Sequence, residues 1–358
     1  CIGGYWAGSI DHGSTAWVAQ MMYRYYRYTM DKDFLRQTAY PFMAGAMRVY
    51  EGMMERKGDT FAMPISVSPE YISKSRQFWG PNASFQWACM HRLCEDLVEA
   101  AGELGEAPRP LWQEVLDKAP KACLIEENGE KMIGLWDGVN LEESHRHHSH
   151  LAGIVPFDIF DVDDPEWQKI IHASLNRWIH RGPGLWSGWC VPWASMIHTH
   201  MGQGDAAELL LESWQRVFTN EGHGTLHDAH IPGFSLFGAA YGRLQAGPAI
   251  HSNTHEVMQM DAGMSATAAI QEMLLHTRRG VTHLFRGVPS RWKDVSFSSM
   301  RTDGAFLISA TRTRGVTGKV EITSLAGGTL TLANPWGTRK CALRRDTARR
   351  VLSGPVLK

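Results

Sequence analysis

The spacing of apolar residues is the feature that most constrains how this chain folds. From Ser14 to about Leu275 the spacing is mostly that of amphipathic helices, and short segments rich in Gly, Pro and Asp interrupt it. No fixed-period repeat is visible, which disfavours an open array of near-identical repeats. Stacked helical hairpins that close into a ring leave no exposed ends. The pattern therefore predicts a mainly α chain that forms a partial toroid of helical hairpins.

Capping residues and breaks locate several of these helices. Asp33 is a suitable N-cap for the second helix, and Pro41 inside its apolar pattern predicts a kink or a break. Asn82 or Ser84 is expected to cap the third helix. The last strong helix is expected at about 262–277.

After Arg279 the pattern changes to short alternating or apolar runs, which Gly, Asp and Asn turns separate. This change predicts a small antiparallel β-sandwich from about residue 283. We place the domain boundary between a helical toroid in residues 1–280 and a β-sandwich in residues 281–358. The expected strands are 283–285, 306–310, 319–323 and 329–332.

The composition excludes several classes of protein. The 36 Lys and Arg residues balance 37 Asp and Glu residues, so no charge excess indicates a nucleic-acid partner or an anionic membrane surface. No apolar run approaches the length of about 18 residues that a membrane span needs. The six scattered cysteines favour free, partly buried thiols. The abrupt start at Cys1, without an initiator Met, suggests a piece of a longer protein.

The first candidate for chemistry is Glu70, in the segment Ser66–Tyr71. Pro69 forces an extended backbone on Ser68, and the segment lies in a long loop after an amphipathic helix. Nearby proline and aromatic residues would partly desolvate the carboxyl group, as a general acid at neutral pH requires. The alternative is a solvated loop glutamate without a catalytic role.

The second candidate is the segment 145–150, which contains four histidines. A metal site is disfavoured, because these histidines lack the helical i, i+4 spacing of zinc hydrolases and no matched Cys or acidic ligand recurs. We therefore predict no metal and no cofactor. His145, Arg146 and His147 are instead expected to form a wall that hydrogen-bonds sugar hydroxyls. A packed structural role is the remaining alternative.

The third candidate is Asp261, which directly precedes the run of small residues in the last strong helix. Aspartate is a common N-cap, so a purely structural role competes with a catalytic one. Met258, Met260 and Met264 are expected to surround its carboxylate with apolar surface, which favours a functional role.

Trp189 belongs to a cluster of three tryptophans with Trp186 and Trp193, in a chain that has 14 tryptophans and 17 histidines. Sugar-binding clefts use such residues, because flat apolar sugar faces stack on aromatic rings. Most tryptophan pairs at i, i+4 are helix-seam core. Trp189 is our predicted substrate contact among them.

Together these segments resemble glycoside hydrolase family 95, the inverting α-L-fucosidase and α-L-galactosidase family. The most specific match is HRHHSHLAGIVP (145–156). The resemblance implies an (α/α)6 toroid followed by a C-terminal β-sandwich, a carbohydrate substrate and a secreted or periplasmic location. The other matching segments, in the family's order, are 15–46, SVSPEY (66–71), GWCVPW (188–193), MQMDAG (258–263) and 268–292.

The resemblance also implies roles for single residues. Glu70 matches the family's general acid, and Asp261 matches the aspartate that orients and polarises the catalytic water. Arg146 and His147 match residues that hold the sugar's hydroxyls. Inversion needs the acid and the water-activating group on opposite faces of the sugar, about 6.5–9.5 Å apart. Glu70 and Asp261 can meet in this way only if the helical ring closes.

Two departures from the family pattern stand out. No residue before Ser14 can supply the paired asparagines through which the family activates water, so the chain resembles the later part of the enzyme. The family usually has an acidic residue where this chain has Leu135. Asp137, Glu142 or Glu143 could take its place, and Asp137 is our predicted substrate contact.

The leading hypothesis is a glycoside hydrolase that cleaves an α-L-fucoside or α-L-galactoside-like linkage by inversion, with Glu70 as the acid and Asp261 on the water side. A non-catalytic carbohydrate-binding homologue with a degenerate site is the second hypothesis, and Leu135 motivates it. A histidine-rich metal enzyme on an α-toroid is the third. The stretch 231–255, longer than in the family, is expected to line the cleft.

Overall fold

The computed structural model describes residues 11–231, 234–239, 251–253, 256–334, 337–343 and 349–353. Most of the predicted insertion at 231–255 therefore lies outside the described residues. No helix in the described part of the chain is long and apolar enough to cross a membrane. The α-helices are α1 (Gly13–Thr29), α2 (Lys32–Phe34), α3 (Tyr40–Met53), α4 (Ser84–Leu104), α5 (Pro110–Lys118), α6 (Pro165–Arg181), α7 (Cys190–His200), α8 (Gly204–Val217) and α9 (Met260–Leu274).

Strands occur as short pairs between the helices and as a series after α9. The paired strands are β1 (Glu55–Lys57) with β2 (Thr60–Ala62) and β3 (Leu124–Glu127) with β4 (Glu130–Ile133), both antiparallel, and β5 (Phe237–Ala239) with β6 (His251–Asn253), which are parallel. The series comprises β7 (Leu275–Arg278), β8 (Val281–Leu284), β9 (Val295–Thr302), β10 (Phe306–Thr313), β11 (Val316–Ser324), β12 (Gly328–Asn334), β13 (Gly337–Leu343) and β14 (Arg349–Ser353).

The chain divides into two compact units. The first unit runs from the first described residue to Tyr23 and includes Lys32–Cys190 and Val217–Met258. The second unit contains Arg24–Asp31, Val191–Arg216 and the described residues from Gln259 onward. The mainly helical character is as predicted. Closure of the helices into a toroid, and the domain boundary at 280/281, stay predictions.

Helix α4 is the buried centre of the first unit. It packs against α3 and α5, and most of its residues from Ser84 to Ala101 are buried. The predicted side-chain cap is wrong, because Ala83 occupies the N-cap position and Ser84 is already helical. The Ser84 hydroxyl instead donates to the Gly134 carbonyl and accepts from the Cys123 amide, at 2.7 and 3.0 Å.

The break predicted at Pro41 takes the form of a π-helical turn. Leu35–Ala39 is π-helical, and Pro41 follows at the start of α3. Proline lacks the N–H that would bond four residues back, and a wider turn removes the clash with that carbonyl. The helix continues through this point instead of ending.

The second unit contains the predicted β-sandwich as two four-stranded sheets, in the orders β14-β11-β10-β9 and β13-β12-β8-β7. Apolar side chains of both sheets share one core, for example Ile308 and Val320 from one sheet and Leu284 and Leu332 from the other. The sheets are antiparallel except for β8 and β12, which pair in parallel. This pair departs from the fully antiparallel sandwich that we predicted.

The start of the strand region differs from the prediction. The last helix ends at Leu274, and Leu275–Arg278 is strand β7, where a helix to about residue 277 was expected. β7 pairs with β8 across a turn at Arg279 and Gly280, both with positive φ. Cross-strand pairing with β8 therefore overrides the helical pattern of the last residues.

Candidate active site

Glu70 lies at the turn of the Ser-Pro-Glu loop, residues 66–71. Its φ is +52°, and the Tyr71 amide donates to the Ser68 carbonyl across the turn. The loop is held at both ends. Ser66 pairs with Gly80 through two backbone hydrogen bonds, and the buried Tyr71 hydroxyl accepts from the Glu142 amide at 3.0 Å. These hydrogen bonds therefore hold the backbone of Glu70 in a fixed position.

The loop is tied to the histidine block, residues 145–150. His145 Nε2 donates to the Pro69 carbonyl at 3.0 Å, and the hydroxyls of Ser68 and Ser149 lie 2.5 Å apart. Arg146 donates to Glu70 Oε2. Two of the three predicted segments therefore meet in the first unit, although 76 positions separate Glu70 from Arg146.

The carboxyl group of Glu70 is partly accessible, with 22% of its side chain exposed. Its Oε2 atom contacts Arg146, and His147 Nδ1 lies 4.0 Å from the same oxygen. Trp79, an aromatic residue of the same long loop, is 46% exposed. The charged and polar neighbours of Glu70 Oε2 are a guanidinium and an imidazole.

The histidines of the block are neutral groups. Burial lowers the pKa of His145 to about 4 and that of His150 to about 3. Burial, together with the neighbouring His145 and Arg146, holds the pKa of His147 well below its usual value. Within the described residues, His147 Nδ1 has no hydrogen-bond partner. A neutral imidazole with an unused nitrogen is suited to hydrogen-bonding a hydroxyl group.

The tryptophan cluster divides between a core role and a place beside the histidine block. Trp186 is 5% exposed and stacks on Trp178 at 5.2 Å, as core tryptophans do. Trp189 is only half-buried, and its ring packs edge-on against His147 at 5.1 Å. Trp189 therefore contacts His147, the imidazole beside Glu70.

Asp137 stays outside the contacts that unite Glu70, Arg146 and His147. Its exposed carboxylate accepts from Asn82 Nδ2 at 2.6 Å. Leu135, where the resemblance implies an acidic residue, is fully buried. Glu142 accepts from the Lys74 amide at 2.7 Å. A role of Asp137 in binding substrate stays a prediction.

Asp261 belongs to the second unit and is the second residue of α9. Gln259, not Asp261, occupies the N-cap position. Asp261 is exposed, and Met258, Met260 and Met264 are exposed by 69%, 59% and 63%. The expected apolar enclosure is therefore wrong, because these methionines point to solvent. That Glu70 and Asp261 face one substrate stays a prediction.

The histidine block is arranged for hydrogen bonding. His148 Nε2 donates to the Cys190 carbonyl, and His148 Nδ1 accepts from Trp178 Nε1.

In the described residues, the group of three potential metal ligands that converge lies outside this block, in the second unit. It consists of His200, Glu272 and His276. The i, i+4 spacing of Glu272 and His276 was a usable signal that our sequence reasoning missed.

This chain is similar to known proteins in sequence and in fold. The sequence model of the glycosyl hydrolase family 95 catalytic domain matches residues 4–274. Alpha-L-fucosidase 2 of Arabidopsis thaliana is 26% identical over 308 residues, which are 82% of this chain and 34% of that protein. The chain therefore spans about a third of that relative's length.

A solved structure shows the same fold. It is described as "Putative kojibiose phosphorylase from human microbiome" and matches with a TM-score of 0.54 and 10% sequence identity. The match covers 96% of this chain and 50% of the other. At this identity the likeness concerns the fold alone.

Proposed function

Because this chain belongs to glycosyl hydrolase family 95, we propose that it is the catalytic part of a glycoside hydrolase that cleaves an α-L-fucoside or α-L-galactoside-like linkage by inversion. The observation that carries the proposal is the environment of Glu70. A loop anchored at both ends presents this carboxyl group, and Arg146 and the neutral His147 stand beside it. The α-L-fucosidase activity named for the Arabidopsis relative supports the choice of sugar.

The predicted site residues then have distinct roles. Glu70 protonates the glycosidic oxygen as the bond to the sugar breaks. Arg146 and His147 donate hydrogen bonds to sugar hydroxyls, and Trp189 offers an aromatic surface to the ring. His145 holds the loop through the Pro69 carbonyl. Asp261 acts on the side of the attacking water, and Asp137 adds a substrate contact.

Glu70→Gln tests the general acid. The amide cannot donate the acidic proton, and we expect kcat on an α-L-fucoside with a poor leaving group to fall by about 10²–10⁴-fold. An α-L-fucosyl fluoride needs little protonation of its leaving group, so its hydrolysis should fall far less. Glu55→Gln changes an exposed carboxylate in β1, outside the candidate site, and should leave both rates unchanged. Full activity of Glu70→Gln on both substrates would reject the assignment.

The stereochemistry of the product tests inversion and the role of Asp261. Proton NMR during hydrolysis of an α-L-fucoside should show the β-anomer first. Asp261→Asn should lower kcat by a similar factor on both kinds of leaving group, because it weakens activation of the water and not protonation. Initial release of the α-anomer would contradict the proposal.

A carbohydrate-binding homologue without turnover is the second candidate function. Leu135 favours it, because this buried apolar residue stands where the resemblance implies an acidic one. Titration calorimetry that detects L-fucose or L-galactose binding, in the absence of measurable hydrolysis, would favour this candidate over the enzyme.

A further inference from the structure

Three buried polar side chains meet where two helices of the second unit end. His200 is the last residue of α7, Glu272 lies in the last turn of α9, and His276 follows in β7. Their exposures are 4%, 7% and 2%. The ends of α7 and α9 carry the negative poles of their helix dipoles, which favour a cation.

The hydrogen bonds of the two imidazoles define where their protons are. His200 Nε2 lies 2.8 Å from Glu272 Oε2, and His276 Nδ1 lies 2.8 Å from the Glu272 carbonyl oxygen. Both oxygens can only accept, so these two nitrogens carry the hydrogens when the rings are neutral. The opposite nitrogens, His200 Nδ1 and His276 Nε2, are buried and have no hydrogen-bond partner in the described part of the chain.

His276 is oriented as metal-binding histidines commonly are. Such histidines donate their second N–H to a carboxylate or a backbone carbonyl, and His276 Nδ1 donates to the Glu272 carbonyl, which leaves Nε2 for a ligand. One candidate ligand atom from each of His200, Glu272 and His276 lies within 4.8 Å of the other two.

Arg24 holds the carboxylate of Glu272 in place. Arg24 binds Glu272 Oε1 at 2.8 Å, and the Tyr28 hydroxyl holds Arg24 at 3.0 Å. The second carboxylate oxygen, Oε2, remains on the side of His200.

We propose that His200, Glu272 and His276 bind one divalent metal ion of the zinc type. Two imidazole nitrogens and one carboxylate oxygen match the ligands that zinc takes in proteins, whereas magnesium and calcium prefer oxygen alone. The metal takes the place of the hydrogen between His200 Nε2 and Glu272 Oε2, and that hydrogen moves to His200 Nδ1. The unused His276 Nε2 completes the three protein ligands.

Zinc binding by the whole chain tests the proposal. After chelation and dialysis, titration of Zn²⁺ against a chromophoric chelator should give one equivalent bound. His200→Gln and His276→Gln should each weaken binding by about 100-fold or more. His198→Gln is the matched control, because His198 lies on the same helix, is 7% exposed and bonds Gln203 at 2.6 Å. It should keep the affinity within about threefold.

Two further readouts keep the test decisive if a variant folds poorly. In the unmodified chain, Co²⁺ should produce visible d–d absorption typical of nitrogen and oxygen ligands at low coordination number. Zn²⁺ should also raise its thermal unfolding midpoint with increasing concentration. Sub-stoichiometric binding in the unmodified chain, or binding that both ligand variants leave unchanged, would overturn the proposal and leave the cluster as an ion-pair network around Arg24.

Discussion

Glu70 has a φ of +52°, in a region that residues with a Cβ atom rarely adopt, and its carboxyl group receives a hydrogen bond from Arg146. Such strained non-glycine positions persist where the surrounding structure holds them, and they concentrate at functional sites. At Glu70 the anchors are the Ser66–Gly80 pairing and the buried Tyr71. The strain and the side-chain contacts therefore occur at the same residue.

Two variants separate the backbone strain from the side-chain contacts. Glu70→Gly and Glu70→Ala both remove the carboxylate, so they differ chiefly in backbone preference. We expect Glu70→Gly to be more stable than Glu70→Ala by about 1 kcal/mol, because glycine adopts positive φ without a Cβ clash. Urea unfolding measures the difference. A more stable alanine variant would show that residue 70 does not have a positive φ in solution.

At the scale of elements, the Ser-Pro-Glu loop depends on its bridge to Gly80. The Ser66 hydroxyl donates to the Gly80 carbonyl and accepts from the Ala83 amide, at the base of α4. Gly80 packs directly on the buried indole of Trp136, and a Cβ atom there would overlap that ring. The close approach of backbone and indole thus positions the loop that carries Glu70.

Gly80→Ala should therefore destabilise the chain by about 1–3 kcal/mol, since either the indole or the bridge must move. Gly102→Ala is the control, because no atom lies within 4 Å of its Cβ position near the exposed end of α4. Alanine there should be neutral or stabilise the chain by up to about 1 kcal/mol. Thermal or urea unfolding compares them, and equal stabilities would contradict the packing of Gly80 on Trp136.

At the scale of the whole molecule, buried neutral histidines couple folding to pH. Burial lowers the pKa of His91 to about 4, that of His145 to about 4 and that of His150 to about 3, against about 6.5 in an unfolded chain. Between about pH 4 and pH 6.5 the histidines of the unfolded chain bind more protons than those of the native chain. The free energy of unfolding should therefore be fully present above about pH 6.5 and fall as the pH drops towards 4.

His91→Gln isolates one of these contributions. His91 lies on α4, and its Nε2 donates to the Pro120 carbonyl at 3.0 Å, a bond that the amide of glutamine can replace. Between pH 7 and pH 4 the variant should lose less stability than the unmodified chain, by on the order of 3 kcal/mol. Urea unfolding at the two pH values measures this, and parallel losses would refute a strongly lowered His91 pKa.

Local pattern was enough to predict the mainly helical first part of the chain and the change to strands near its end. The helical spacing up to about residue 275 and the alternation after Arg279 correspond to α1–α9 and to the strand series. Three of the four predicted strands lie within β10, β11 and β12, and the one predicted at 283–285 overlaps the end of β8, which stops at Leu284. Apolar period and turn residues act over a few positions, so they can be read directly from the sequence.

The tertiary structure alone decided which distant side chains meet. Arg146 reaches Glu70 across 76 positions, and His200 reaches Glu272 across 72. It also turned Leu275–Arg278 from an expected helix end into a strand, and exposed the methionines expected to enclose Asp261. These outcomes depend on packing and on pairing between remote segments, which no local periodicity encodes, and so the chemistry of the site emerges only once the chain has folded.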